Sequence, residues 1–266
     1  MKPVTIATIR EMKRAHEKIV CLTAYDYSFA SLLDRCGIDV VIVGDSLGMV
    51  MQGHGSTLPV TMDDMVYHSA CVARGVSRTL IVVDLPFASY QIGPAQAMES
   101  AGRLMKEGGA HVVKLEGGAP MVDTVRFLVD RGIPVCGHIG LTPQSVHQFG
   151  GYHVQGRDGV AAHRIREDAR LLQEAGASML VLEAVPAVLG EAVSAALEIP
   201  VIGIGAGAAC DGQVLVLQDM LGLYPRPSPK FSKNFMQGGA DIEAAVRAFA
   251  DAVRAGTFPG PEHSFS

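Results

Sequence analysis

Tryptophan is absent from this chain, and aromatic residues of all kinds make up only 6% of it. Charge is sparse too. Asp, Glu, Lys and Arg together reach 18%, with a formal net charge of -5. No dense Lys/Arg stripe occurs, which excludes the electrostatic footprint of a general nucleic-acid binder. The five cysteines (Cys21, Cys36, Cys71, Cys136, Cys210) never fall in Cys-x-x-Cys spacing, which argues against a disulfide frame and against a structural zinc site. They read as reduced thiols, mostly in apolar surroundings. No uncharged apolar run reaches 18 residues, and Met1-Lys2-Pro3-Val4-Thr5 lacks the apolar region of a signal peptide. The expectation is a soluble, cytoplasmic protein with neither nucleic acid nor membrane as partner.

What the chain has in quantity is apolar residues, 48% of 266. That supports a sizeable core, and the length suits one α/β barrel domain spanning residues 1–266. An amphipathic helix is predicted over 5–17, with Ile6, Ile9 and Met12 spaced three apart. No strand precedes it, so it is placed to close the bottom of a barrel. A regular alternation follows. Short strands rich in Val and Ile are expected at 19–23, 40–43, 80–83, 111–116 (before Gly117-Gly118), 133–136, 179–182, 199–202 and 214–217. Between them run helical stretches, two with recognisable starts. Thr61 with Asp64 forms a capping-box pattern, and Pro94 sits at the first position of the next helix, whose buried stripe is read as Met98, Ala101 and Met105. The segment 141–159 is long, polar and glycine-rich, a loop or lid candidate. A closing helix is expected over 240–255. Eight β-then-α units favour a closed (β/α)8 barrel over its rival, a doubly wound open sheet.

Polar residues collect where these strands end. Val112, Lys114 and Glu116 alternate onto one face of the fourth strand, just before Gly117-Gly118. Asp45 with Ser46, Asp84, His138 and Glu183 hold the same position on other strands. In (β/α)8 enzymes that end is the active face. Asp45, Asp84 and Glu116 come from neighbouring strands, and three converging carboxylates repel one another without a cation. Hard oxygen ligands with room for substrate suit Mg²⁺, or Mn²⁺ in its place. The bland alternative is that these acids pair with Lys or Arg. Lys114 can neutralise a substrate carboxylate or an enolate oxygen, or form a Schiff base if desolvation lowers its pKa. Ser46 can donate to a carboxylate or cap the following turn. His138 can bind a carboxylate or oxyanion, or be a packed core histidine. Glu183 is the acid not needed by a metal, hence the general acid/base candidate. The run Gly203-Ile204-Gly205-Ala206-Gly207 either cradles an anion or permits close packing.

The ordered set of motifs resembles one enzyme family. It comprises Thr23-Ala24-Tyr25-Asp26, Val43-Gly44-Asp45-Ser46-Leu47-Gly48, Asp84-Leu85-Pro86-Phe87, Lys114-Leu115-Glu116-Gly117-Gly118, Gly137-His138-Ile139-Gly140-Leu141-Thr142-Pro143-Gln144, Gly150-Gly151-Tyr152 and Pro229-Lys230-Phe231. The chain is similar to the ketopantoate hydroxymethyltransferases of pantothenate and coenzyme A biosynthesis over nearly its whole length. The resemblance implies a (β/α)8 TIM barrel of the phosphoenolpyruvate/pyruvate type, assembled as a homodecamer of two pentamers. It implies one Mg²⁺ per subunit around Asp45, Asp84 and Glu116, and substrate contacts from Asp45, Ser46, Asp84, Lys114 and His138. It also implies a proton acceptor at Glu183. The implied reaction moves a hydroxymethyl group from 5,10-methylenetetrahydrofolate to 3-methyl-2-oxobutanoate, giving 2-dehydropantoate. A related Mg²⁺-dependent 2-oxo-acid lyase or mutase, and a non-catalytic binding barrel, are the alternatives. The sequence departs from the family pattern at His153, where lysine is common, and at Ala208-Ala209, where polar residues are common.

Overall fold

A computed structural model describes residues 2–266. Eight parallel strands close on themselves in chain order: β1 Ile19–Thr23, β2 Val40–Val43, β3 Leu80–Asp84, β4 Val112–Glu116, β5 Val135–Gly140, β6 Met179–Glu183, β7 Val201–Ile204 and β8 Gly212–Leu215. Closure is made by β1 pairing β8, with Ile19 opposite Gly212 and Leu22 opposite Leu215. This decides for the barrel over the open sheet. Every residue of β1 to β4 is buried, as strands covered on both faces must be. Among the described residues no helix is long and apolar enough to cross a membrane.

The strand pattern divides the core in two. One set of alternating residues points outward to the helices and forms the larger cluster. The other fills the barrel: Ile19 and Cys21, Val40 and Ile42, Leu80 and Val82, Val112, Cys136, Met179 and Val181, Ile202 and Ile204, Val214. The helix Ile6–Arg14 joins this inner cluster through the fully buried Ile9, with Ile6 and Met12 packed beside it. It therefore plugs the amino-terminal end of the barrel, as its missing strand suggested. At the other end the inward-pointing apolar residues give way to Asp84, Lys114, Glu116, His138 and Glu183.

The boundaries of three strands, β5, β7 and β8, move for reasons of hydrogen bonding. Pro134 and Pro200 have no N–H for a ladder, so β5 begins at Val135 and β7 at Val201. β5 then runs on through Gly137-His138-Ile139-Gly140, paired to β6 from Cys136–Met179 to Gly140–Glu183, so His138 lies within the strand. β8 ends at Leu215, and the Leu217 N–H turns away to Thr23 Oγ1 at 2.9 Å. No helix separates β7 from β8; Gly205 (φ +64°) and Gly207 (φ +85°) bend the chain there. A side chain on either would strike Phe231 or Ala187, which favours the close-packing role of that glycine run.

The capping box at Thr61 is present. The Asp64 N–H donates to Thr61 Oγ1 at 3.1 Å, and the Thr61 N–H donates back to Asp64 Oδ2 at 2.9 Å. The helix Pro94–Lys106 buries Ala97, Ser100, Ala101 and Leu104, so the stripe lies one position from the expected methionines, which are only partly buried. Short residues allow this helix to approach the sheet. The 141–159 segment is not structureless: it holds a 3₁₀ turn at Pro143–Ser145 and a helical turn at Val146–Phe149.

Gly140 closes β5 at φ +88°, and a Cβ there would overlap the Glu183 carbonyl oxygen. Gly140→Ala is expected to destabilise the fold by about 1–3 kcal/mol from backbone strain alone. Urea unfolding of the two proteins measures it.

Candidate active site

Asp45, Ser46, Asp84, Lys114, Glu116, His138 and Glu183 all line one cavity of about 580 Å³ at the carboxyl ends of the strands. The strand period puts them there. In β3 to β6 the residues Asp84, Lys114, Glu116, His138 and Glu183 continue the inward-facing series, one or two steps beyond the apolar filling.

The geometry is an arc of charge. Lys114 Nζ lies 3.1 Å from Asp84 Oδ1 and 3.2 Å from His138 Nδ1. His138 Nε2 lies 3.2 Å from Glu183 Oε2. Burial alone pulls the Lys114 pKa down, but Asp84, Glu116 and Asp45 raise it beyond the usual lysine range. Lys114 is therefore an ammonium, a poor Schiff-base nucleophile and a good partner for an oxyanion. Burial, with Lys114 adjacent, pushes the His138 pKa well below the ordinary range. A neutral ring that accepts from Lys114 at Nδ1 must carry its proton on Nε2, directed toward Glu183. Neither the Nε2 contact nor the Asp84 Oδ1 contact has hydrogen-bond alignment. Both atoms are thus close to a charge but not satisfied by it.

The acids are strained electrostatically. Burial raises Asp45, Asp84 and Glu116, and Asp45 is raised further by Asp84 beside it. Glu183 is pushed up to about 8, chiefly by burial and against the pull of Lys114. Four carboxylates thus face one ammonium and a neutral imidazole, an excess of negative charge that a divalent cation would balance.

The donor chemistry fits Mg²⁺ at Asp45 and Asp84, with Glu116, the third expected ligand, held by its neighbours. Among the described residues no three His, Cys, Asp or Glu side chains are arranged to hold a metal ion as they stand. Asp45 and Asp84 are neighbours, the Asp45 N–H donating to Asp84 Oδ2 at 3.1 Å, and Asp84 Oδ1 has no hydrogen-bond partner. Glu116 is otherwise engaged. Its Oε2 accepts the Gln144 N–H at 2.9 Å, and its Oε1 lies 3.6 Å from His138 Nδ1. Two carboxylates completed by water and substrate oxygens are the ordinary Mg²⁺ arrangement, whereas a cage of protein ligands is not.

Gln144 was not given a role by sequence reasoning, yet it braces two carboxylates beside the arc, Asp45 and Glu116. Its side-chain amide donates to Asp45 Oδ2 and to Leu85 O, both at 2.9 Å, and its Oε1 accepts from Tyr90 Oη at 2.7 Å. Tyr90 Oη in turn accepts the Glu116 N–H at 3.1 Å. A Thr-Pro-Gln in a long loop carries no local signal for this; only the fold over the barrel mouth makes it. Ser46 does not cap the turn after it: its side chain makes no cap bond and pairs with Tyr25 Oη at 2.8 Å. His153, one of the departures from the family pattern, lines the cavity, as do Tyr152 and Asp219.

Burial gives Glu183 a measurable signature. Its folded pKa, about 8, lies above the ordinary 4.5, so the folded chain binds that proton more tightly than the unfolded one. This contribution to stability is whole below the unfolded value and is lost as pH rises through the folded one. In metal-free buffer, Glu183→Gln is expected to melt higher than the parent above pH 8, the gap closing toward pH 5. Calorimetric melts across that range test it.

A sequence model of the family described as ketopantoate hydroxymethyltransferase matches residues 3–261. A 3-methyl-2-oxobutanoate hydroxymethyltransferase of Methylobacillus flagellatus is 61% identical over 98% of this chain and 100% of its own. One of Thiobacillus denitrificans is 59% identical over 99% and 100%. Among solved structures the barrel is similar to a putative phosphonomutase from Burkholderia cenocepacia, with TM-score 0.63 at 17% identity, covering 82% of this chain and 94% of that one. It is also similar to 2,3-dimethylmalate lyase, a PEP mutase/isocitrate lyase superfamily member, with TM-score 0.58 at 14% identity, covering 84% and 81%. Those two likenesses establish the fold, and the full-length identities establish the kinship: this chain belongs to the ketopantoate hydroxymethyltransferase family.

Proposed function

We propose that this protein is a 3-methyl-2-oxobutanoate hydroxymethyltransferase acting in pantothenate biosynthesis, with Mg²⁺ as metal and 5,10-methylenetetrahydrofolate as one-carbon donor. The observation that carries the reading is the buried arc Asp84–Lys114–His138–Glu183 opening on one cavity, in a chain 61% identical to a relative of that name. Asp45 and Asp84 would hold the metal, with Glu116 behind them through the Gln144 brace. Bound there, Mg²⁺ supplies Lewis-acid polarisation of the keto group.

The chain's own groups do the rest. Lys114 neutralises the substrate carboxylate or the oxyanion that develops on the keto oxygen, and Ser46 and Tyr25 offer hydroxyl donors beside Asp45. Glu183, as carboxylate, removes the proton from C3 of the keto acid. The neutral His138 keeps its Nε2–H 3.2 Å from Glu183 Oε2 without hydrogen-bonding it, so that donor is open to a substrate oxygen. Water adds to the methylene carbon of the ring-opened folate iminium, and the C–N bond breaks to release tetrahydrofolate and a formaldehyde unit. The enolate carbon attacks that carbonyl carbon, and Glu183 returns the C3 proton to the new alkoxide, completing the hydroxymethyl group. The apolar wall of Val181, Ile204 and Val214 keeps bulk water from the enolate. The same reading carries assembly as a decamer of two pentamers from one-domain subunits in the cytoplasm. Exposed Tyr67, Ile92 and Val188 are candidates for such contacts, and sedimentation measures the assembly.

The decisive assay is formation of 2-dehydropantoate, which is expected to need both 5,10-methylenetetrahydrofolate and a divalent metal and to stop in EDTA. Turnover without folate would instead mark a 2-oxo-acid lyase or mutase. Glu183→Gln is expected to lower kcat by about 10²–10⁴-fold. Because the base must be ionised, kcat/KM should rise with pH toward about 8, where burial sets Glu183, and level off above it. Borohydride is expected to trap no adduct on Lys114; a trapped adduct would replace the oxyanion role with Schiff-base chemistry.

A further inference from the structure

One carboxylate of the cavity lies outside the arc. Asp219 follows β8, in the helical turn Leu217–Met220, and is only 7% exposed. Its backbone N–H donates to Val216 O at 3.1 Å, but its Oδ1 is buried without a hydrogen-bond partner. Burial by itself raises its pKa, to about 6, with no contribution from Lys114 or its acids. Asp219 is thus a separate polar anchor and not a fifth member of that cluster. A buried acceptor left open is costly, and the usual reason for keeping one is something that completes it. Tyr224, on the same side of the cavity, also has a buried hydroxyl without a partner.

The surroundings describe what would fit. The cavity of about 580 Å³ far exceeds a five-carbon keto acid and is of a size that holds a drug-sized molecule. Val214, Val216 and Ile204 give Asp219's side of it an apolar lining suited to a flat ring. Arg226 and Lys230, both exposed, stand at the mouth. Lys230 is held there by Ser264 O at 2.5 Å and by the Phe265 ring, 5.2 Å away.

We infer that Asp219 receives the 2-amino-4-oxopyrimidine edge of the reduced folate, with Tyr224 beside it, and that Arg226 and Lys230 face its glutamate carboxylates. This rests on the folate reading of the proposed function. The ring N–H and the adjacent amino N–H point the same way, so one carboxylate takes both, as it takes the two N–H groups of an arginine. These two donors favour the ionised form that burial disfavours, which is why the empty site is costly and the filled one is not. The glutamate tail carries negative charge, which the two mouth cations complement.

Isothermal titration of the protein with tetrahydrofolate, and with its 2-desamino analogue, tests the assignment. The parent is expected to prefer tetrahydrofolate. Asp219→Asn is expected to bind it about 10–100-fold more weakly and to lose the preference. Exchange of the C3 proton of 3-methyl-2-oxobutanoate, which needs only the keto-acid side, reports in the same variant whether the rest of the site is intact. Undiminished tetrahydrofolate affinity in Asp219→Asn overturns the inference. So does a joint collapse of affinity and exchange in both Asp219→Asn and Asp219→Ala, which marks a structural residue. A parent that fails to bind tetrahydrofolate at all strikes first at the proposed function, so the two failures are told apart.

Discussion

The interaction on which this site depends is the contact of one buried ammonium with an excess of buried carboxylate. Lys114 lies 3.1 Å from Asp84, and Asp45 and Glu116 raise its pKa further. Taking these groups out of water is unfavourable for each alone. Together they persist because Lys114 offsets part of the charge, the Asp45 N–H donates to Asp84, and Gln144 donates to Asp45 and Glu116. The result is a lysine held charged, a histidine held neutral and a glutamate held near neutrality. Opposite protonation demands are met within a few ångströms by burial and neighbours alone.

Rigidity comes from the layer around these groups. Gln144 ties Asp45, Leu85 and Tyr90 together, and its backbone N–H holds Glu116, so one loop residue fixes a carboxylate just past β2 and another at the end of β4. Its amide is saturated, which lets a polar side chain stay buried without penalty. What remains open is as informative. Asp84 Oδ1, His138 Nε2, Asp219 Oδ1 and Tyr224 Oη are all buried without hydrogen-bond partners, and all four residues border the same cavity. The barrel's stability is spent there on atoms that substrates can complete, while the apolar filling below and the Ile6–Arg14 plug carry the fold.

Much of this was legible from local pattern. Strands β1 and β2 fall where the Val and Ile runs stand, and β3, β4 and β6 end on the polar residues expected of them. The capping box at Thr61 and the Pro94 helix start are fixed by residues three or fewer positions apart. Where reading slipped, the cause was non-local. His138 was placed after β5 and lies within it, because pairing to β6 extends the strand over two glycines that no propensity favours. β8 is set by its register with β1, nearly two hundred positions earlier in the chain.

The sequence by itself determined which residues face inward, because a strand alternates with period two whatever it later pairs with. That is why Lys114 and Glu116 could be put on one face in advance, while Asp84, His138 and Glu183 stand out by their place at the ends of apolar runs. Only the tertiary structure decided that the sheet closes, that those side chains share one cavity, and that Gln144 engages one oxygen each of Asp45 and Glu116. It alone singled out Asp219 as an unsatisfied acid apart from the rest. Closure and satisfaction of buried polar atoms are properties of partners far apart along the chain, and no local spacing encodes them.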